Sequence, residues 1–266
     1  MKRIFLALIL LSGATACATD GHGSVEGKHT LVIGVKADQP GLGLRRDGRF
    51  TGFDIDVADY IARKLGASKV EFVGLTSADR ERFLDERRVD LVVASYSITP
   101  LRKTLVRFAG PYYVAHQDTL VRSGENGVRG VRDLKGRRLC AAKGSNSSLR
   151  VTEEREVKAV PVEAASYSQC IDKLVSGQLD AVSTDDIILA GFATDRAGKV
   201  KLVNAPFTDE KMGIGLNKDD IGGCEAVNRA ITSMYQDGTA AQALTRWFGK
   251  AGLKITTTVP QFEGCH

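Results

Sequence analysis

The 266-residue chain offers no long apolar run: its first apolar stretch, Ile4 to Leu11, falls well short of the roughly 20 residues a membrane-spanning helix needs. It has little charge of one sign. With 37 Lys and Arg against 32 Asp and Glu the formal net charge is +5, and Lys2 and Arg3 supply two of those charges, so removal of a leader leaves +3. That excess is too small to point to nucleic acid. Histidine is scarce: His22, His29, His116 and His266 show none of the spacing of metal ligands, so no metal and no cofactor is expected. There is no Gly-x-Ser-x-Gly elbow, and no His lies near a Ser or Cys that ends a strand, which removes the usual signs of a nucleophilic hydrolase.

What is present is ordinary for a soluble globular protein, 43% hydrophobic and 26% charged, and the length suffices for one large domain or two lobes. Lys2 and Arg3, the apolar Ile4 to Leu11 and the small residues Ser12 to Ala16 read as an export signal over residues 1–16. Ala14-Thr15-Ala16-Cys17 resembles the lipobox at which bacterial lipoproteins are cleaved and lipidated, although Leu is usual where Ala14 stands. Lipid on Cys17 is therefore expected, with simple secretion as the alternative. Residues 17–29 are small and polar and read as a flexible tether. Five cysteines in an exported chain leave one over; with Cys17 lipidated, Cys140 with Cys170 and Cys224 with Cys265 are the expected disulfides, each pair adjacent in sequence order and within one proposed lobe.

The most informative stretch is Leu91 to Arg102, an apolar run that ends in hydroxyls and a guanidinium. Its Val pair favours a buried parallel strand. Pro100 lacks a backbone N–H and biases Thr99 away from helical angles, so Ser95, Ser97 and Thr99 fall at or beyond the strand's carboxyl end. Ligands bind at that end in open α/β sheets, and Arg102 presents a planar fork that matches a carboxylate. A solvated turn with a surface Arg fits the same residues.

Along the rest of the chain strands and helices alternate, which argues for a parallel sheet covered on both faces. Strands are expected at 31–35, 70–73, 89–94, 117–122, 139–142, 179–182, 201–205 and 212–217, and helices from 54, over 78–88, from 149, and over 169–176, 223–234 and 239–248. Asp54 reads as the N-cap of the first helix. Ser145 and Asn146 lie just before a helix, either as anion-binding groups or as ordinary caps. Ser183-Thr184-Asp185-Asp186 repeats the pattern of a strand with a polar end.

Gly52-Phe53-Asp54-Ile55-Asp56-Val57 with Ile61, Ala62 and Leu65 resembles the signature of the family 3 solute-binding proteins, which deliver polar amino acids to ABC importers. Ala94 to Arg102, Gly144-Ser145, Asp180-Ala181-Val182 with Asp185, and Asp237-Gly238-Thr239 with Trp247-Phe248-Gly249 follow in that family's order, over residues 30–250. Lys36 to Gly41 and the positions of Cys140 and Cys170 resemble its glutamate-binding lipoproteins. The resemblance implies an α/β type II periplasmic-binding-protein-like fold: two lobes of mixed sheet covered by helices, joined by two hinge crossings. Lobe one takes residues 30–120 and, with the C-terminal tail, 213–266; lobe two takes 121–212.

Carried over by position, the resemblance implies that Arg102 holds a ligand's α-carboxylate, helped by Ser97, Ser145 and Asn146. Asp185 takes the α-ammonium beside Thr184. Ser95 matches a position that is often Gly and whose carbonyl faces the ammonium. Tyr96 stands where the family has an aliphatic residue, and packing against the ligand's methylenes is its expected role. Lys36 and Arg80 fall where further cleft residues lie, and a buried cation opposite a neutral group is costly, so an acidic ligand is expected, glutamate first, then aspartate or glutamine. Arg80 equally fits a surface position among Asp79, Glu81 and Arg82. The implied protein is a monomeric, non-enzymatic binding lipoprotein on the outer face of the cytoplasmic membrane, with importer permease subunits as partners. The rival classes are an enzyme on the same fold, with Asp185 and Asp186 as acid and base, and a ligand-sensing module, for which a spanning helix or fused domain after Phe248 would be needed.

Overall fold

β-Branched and apolar residues at alternate positions make Thr30–Val35 (β1) a central strand, with Leu31, Ile33 and Val35 fully buried in the computed structural model, which describes residues 23–265. The signal peptide, Cys17 and the start of the tether lie outside the described residues. The tether ends sooner than expected: Val25 is buried and its N–H donates to Asp220, while the Gly27 N–H donates to Leu65.

The segment after β1, where no strand is expected, is a small antiparallel sheet, Asp38–Gln39 (β2), Gly43–Arg46 (β3) and Arg49–Thr51 (β4), turned at Asp47-Gly48 with both residues at positive φ. Asp-Gly is a strong hairpin signal because both turn positions need that conformation. Helix α1 (Phe53–Lys64) buries Phe53, Val57, Ala58, Ile61 and Ala62. Its N-cap is Gly52; Asp54, expected there, is inside the first turn and buried. Lys69–Gly74 (β5), Arg80–Asp85 (α2), Leu91–Val93 (β6) and Pro100–Leu105 (α3) follow. Strand β1 pairs in parallel with both β5 and β6, as alternation predicts.

The two halves are joined by two long strands. Arg107–Arg122 (β7) runs 16 residues where only 117–122 was expected, because Gly110-Pro111 resembles a break. The ladder tolerates it: the register shifts there between Met212 and Ile214, and the Gly110 N–H is taken by the Asn228 side chain. Beyond it come Arg138–Ala142 (β8), Ser147–Leu149 (α4) running into a π turn, Val160–Ala164 (β9), Tyr167–Val175 (α5), Val182–Asp185 (β10), Asp186–Asp195 (α6), Val200–Leu202 (β11), the returning strand Thr208–Leu216 (β12), Ile221–Gln236 (α7) and Thr239–Phe248 (α8). The principal sheet runs β10-β7-β12-β6-β1-β5, with β11 also on β7. The parallel sheet expected from alternation is thus confined to β5-β1-β6 and β8-β9; β7 pairs antiparallel with β10, β11 and β12 because the chain must cross between lobes and return. The expected boundaries near 120 and 212 fall inside β7 and β12.

Cys140–Cys170 joins β8 to α5, and Cys224–Cys265 joins α7 to the tail, the pairs expected. Among the described residues no helix is long and apolar enough to cross a membrane. The lobes touch at small residues: a Cβ at Gly191 on α6 would lie 1.9 Å from the Pro40 carbonyl oxygen, and one at Gly144 would lie 2.5 Å from the Ala78 backbone.

Gly191 is helical with ordinary φ, so alanine there favours its own helix and conflicts only with the facing lobe. Gly191→Ala is expected to hold the lobes apart. Small-angle scattering should give a larger radius of gyration than wild type at an undiminished helix content. Equal radii would mean that this contact does not limit approach.

Candidate functional site

After Val93 the chain leaves β6 and turns sharply, with Ser95 at φ +42. A non-glycine residue there is strained by about 1–3 kcal/mol and needs support. Asp54 gives it: Oδ2 accepts the Ser95 N–H at 2.9 Å, and Oδ1 accepts the Tyr112 hydroxyl at 2.8 Å. The Ser95 hydroxyl donates to Gln39 Oε1 at 2.9 Å. The Ala94 and Ser95 carbonyls are thereby turned toward Arg80, whose Nη1 donates to them at 3.3 and 3.2 Å.

Helix α3 starts as Pro100 requires: Thr99 is its N-cap, accepting the Arg102 N–H at 3.2 Å, and Arg102 is turned inward, 7% exposed. Its Nη1 donates to the Ser97 carbonyl at 2.9 Å, and its Nε lies 3.3 Å from Glu81 Oε1. Arg80, 2% exposed, also donates from Nε to the Ser77 carbonyl at 3.1 Å. Both arginines reach across to the Gly144 carbonyl, at 3.0 Å from Arg102 and 3.1 Å from Arg80. The Tyr96 ring supports both guanidinium carbons, 4.3 Å from Arg80 and 5.1 Å from Arg102.

The facing wall is a chain of hydroxyls. Ser145 Oγ meets Tyr167 Oη at 2.7 Å, Tyr167 donates to Ser147 Oγ at 2.9 Å, and Ser147 meets Thr184 Oγ1 at 3.0 Å. Asp185, at the end of β10, is buried beside them. These residues close on a narrow space of about 10 Å³.

Of the residues expected from sequence, Arg80, Ser95, Ser97, Arg102, Ser145, Asn146, Thr184 and Asp185 all line that space. Two do not. Tyr96 is fully buried beneath the arginines, so it packs on them and not on a ligand's methylenes. Lys36 is buried one layer behind the wall, its Nζ donating to Ser77 Oγ at 2.7 Å. Arg80 is on the wall and not on the surface, with no carboxylate partner among the described residues. Sequence reasoning missed Ser77, Ser147, Tyr167 and Ile188 on the wall and Asp54 behind it. Ser147 was visible in the run of serines; Tyr167 arrives from a distant helix and left no local signal.

Burial raises the Asp185 carboxyl well above the usual range, with Glu210 and Asp186 adding repulsion and Arg102 and Arg80 opposing. Burial, then the neighbouring Arg80, lowers the Lys36 ammonium well below its ordinary value. Arg80 is lowered to about 10, by burial and then by Arg102. One end of the cavity therefore gathers basic side chains, Arg80 and Arg102 with Lys36 behind, and burial disfavours the charge of Arg80 and Lys36; the other presents the Asp185 carboxyl, which has no side-chain hydrogen bond among the described residues. Such a site suits an anionic group at the arginines and a cation at Asp185.

Asp54 is raised from 3.8 to about 6, by burial first, against the hydrogen bonds from Tyr112 and Ser95. Because the folded value exceeds the unfolded one, this group's stabilisation is complete below pH 3.8 and is lost as pH rises through 6. The loss is about 3 kcal/mol. Denaturant titrations of Asp54→Asn between pH 3.5 and 7 should lack that decline relative to wild type. Parallel curves would show that Asp54 does not titrate in this window.

Residues 31–250 match the family profile described as bacterial extracellular solute-binding proteins, family 3. The glutamate-binding protein GluB of Corynebacterium glutamicum is 34% identical over 284 residues, covering 97% of this chain and 96% of that protein. The ABC transporter glutamine-binding protein GlnH of Bacillus subtilis is 34% identical over 269 residues, covering 93% and 97%. Among solved structures, an ancestral arginine-binding protein bound to glutamine superposes with a TM-score of 0.78 at 32% identity, covering 84% of this chain and 99% of that one.

Proposed function

Because the chain belongs to the bacterial extracellular solute-binding proteins, family 3, we propose that it captures an acidic amino acid, glutamate first, between its two lobes and delivers it to an ABC importer. Lobe one is 30–120 with 213–266, and lobe two is 121–212. Arg102 receives the α-carboxylate with Ser97, Ser145 and Asn146, and Asp185 with Thr184 receives the α-ammonium. The protein acts as a monomeric binding protein without turnover, lipidated at Cys17 on the outer face of the cytoplasmic membrane and docking on permease subunits.

The observation that carries the choice of an acidic ligand is Arg80. Its buried guanidinium stands on the cavity wall beside Arg102 and donates only to backbone carbonyls among the described residues. Lys36 lies one layer behind, through Ser77. With Arg102 and Asp185 matched by the main-chain charges of an amino acid, a distal carboxylate answers the remaining positive charge, which a distal amide leaves uncompensated. The GluB relative is named for binding glutamate and supports the same choice.

Arg102→Ala and Asp185→Ala should each weaken binding at least a hundredfold, about 3 kcal/mol, by stranding a ligand charge in a desolvated cleft. Calorimetry read beside circular dichroism checks this; near-native affinity in either folded variant would relocate the site. Glutamate should bind about tenfold to a hundredfold more tightly than glutamine, the worth of one charge-assisted hydrogen bond. Arg80→Met should erase the preference and Lys36→Met should reduce it. A wild type indifferent to the two ligands, or variants that both keep the preference, would refute the assignment, and product formation during incubation would favour an enzyme.

A further inference from the structure

Asp38 is not on the cavity wall, yet its carboxylate crosses from the edge of β2 to the first turn of α5 in the facing lobe. Its Oδ2 accepts the Ser168 hydroxyl at 2.8 Å and the Ser168 N–H at 3.3 Å. The helix has its own cap, Ser166, whose hydroxyl accepts the Gln169 N–H at 3.4 Å. That cap leaves the Ser168 N–H among the unpaired donors of a helix start, where a negative charge is also favoured by the aligned peptide dipoles. The donor that completes the first turn of α5 is thus satisfied from the other lobe, and only while the lobes are together.

The neighbouring cross-lobe contacts differ in kind. Arg46 with Asp195 is 2.8 Å long, but the Arg46 side chain is 69% exposed, and such pairs are screened. The Pro40 carbonyl against Gly191 is a steric fit without charge. Arg80 and Arg102 reach the Gly144 carbonyl from the wall itself, and a ligand competes for them. Asp38 to Ser168 is the charge-assisted, partly buried contact that lies outside the ligand's reach.

We propose that Asp38 sets affinity without touching ligand: by capping α5 across the cleft it stabilises the closed protein and slows the ligand's escape. The choice of glutamate as probe rests on the functional reading above; the closure itself does not. In stopped-flow measurements with glutamate, Asp38→Ala should raise the dissociation rate about tenfold and leave the association rate unchanged, because opening must break this contact before ligand leaves. Asp38→Asn, which keeps an acceptor without the charge, should fall between. Ser168→Ala should lose less, since its N–H remains, and Asp38→Ala with Ser168→Ala should lose no more than Asp38→Ala alone. Additive losses, or a slower association with unchanged dissociation, would overturn the proposal in favour of independent effects or of charge steering. If glutamate fails to bind wild type, the functional reading fails while the closure is still decided. Spin labels at the exposed Arg63 and Lys158 then report the distance between lobes in unliganded protein. Asp38→Ala should shift that distribution to longer distances, and identical distributions would overturn the proposal.

Discussion

Three basic side chains are buried together at the end of one sheet, and much of the surrounding architecture answers the cost of keeping them there. Lys36, Arg80 and Arg102 are each less than a tenth exposed. Unmatched charges in that setting cost several kcal/mol each. The chain meets the demand with oxygen atoms in place of carboxylates: carbonyls of Ser77, Ala94, Ser95, Ser97 and Gly144 converge on the two guanidiniums, and Glu81 answers one of them. The Ala94 and Ser95 carbonyls point that way because Ser95 adopts a left-handed conformation. Asp54 and Tyr112 hold it there, which is why a buried acid with a raised pKa is found behind the site.

The same demand links the site to the movement of the lobes. Gly144 belongs to the hydroxyl-rich wall, and its carbonyl is shared by both arginines of the other wall, so the charges are best solvated by protein when the walls meet. Meeting requires close backbone approach at Gly144 and Gly191, where no side chain fits. It also requires crossings that carry the chain from one lobe to the other and back. β7 and β12 supply these by running as one antiparallel ladder through both lobes, interrupted by a register shift. In the function proposed above, a carboxylate-bearing ligand replaces carbonyl dipoles with full charge, which converts a tolerated arrangement into a favourable one.

The parts of this arrangement set by neighbours in sequence were legible in it. A β-branched run followed by hydroxyls and Pro100 marks a strand end, which is found; the helix from Pro100 capped by Thr99 was not expected, and the inward turn of Arg102 decides between two readings that the residues left open. Asp54 was misread because an acid before an apolar helix is equally suited to a cap and to a buried clamp; only the position of Ser95, 41 residues away, decides. α6 left little helical signal because Ile187, Ile188, Leu189, Ala190 and Phe192 are all buried, so no polar face marks the period. β7 was shortened because Gly110-Pro111 looks like a break unless Asn228 is known to take the freed N–H. Arg80 had two local readings of equal merit, and its partners all come from outside α2.

In the proposed arrangement the two ends of the cavity are assigned by charge, with an α-carboxylate on Arg102, an α-ammonium on Asp185 and a distal carboxylate toward Arg80 with Lys36 behind it. A crystal structure with glutamate bound, at a resolution that separates carboxylate from ammonium, tests this directly. The α-carboxylate is expected within hydrogen-bond distance of Arg102, the ammonium on Asp185 and the distal carboxylate on the Arg80 side. Glutamate reversed, with its ammonium directed at the arginines' end, or seated outside the space between the lobes, would contradict it.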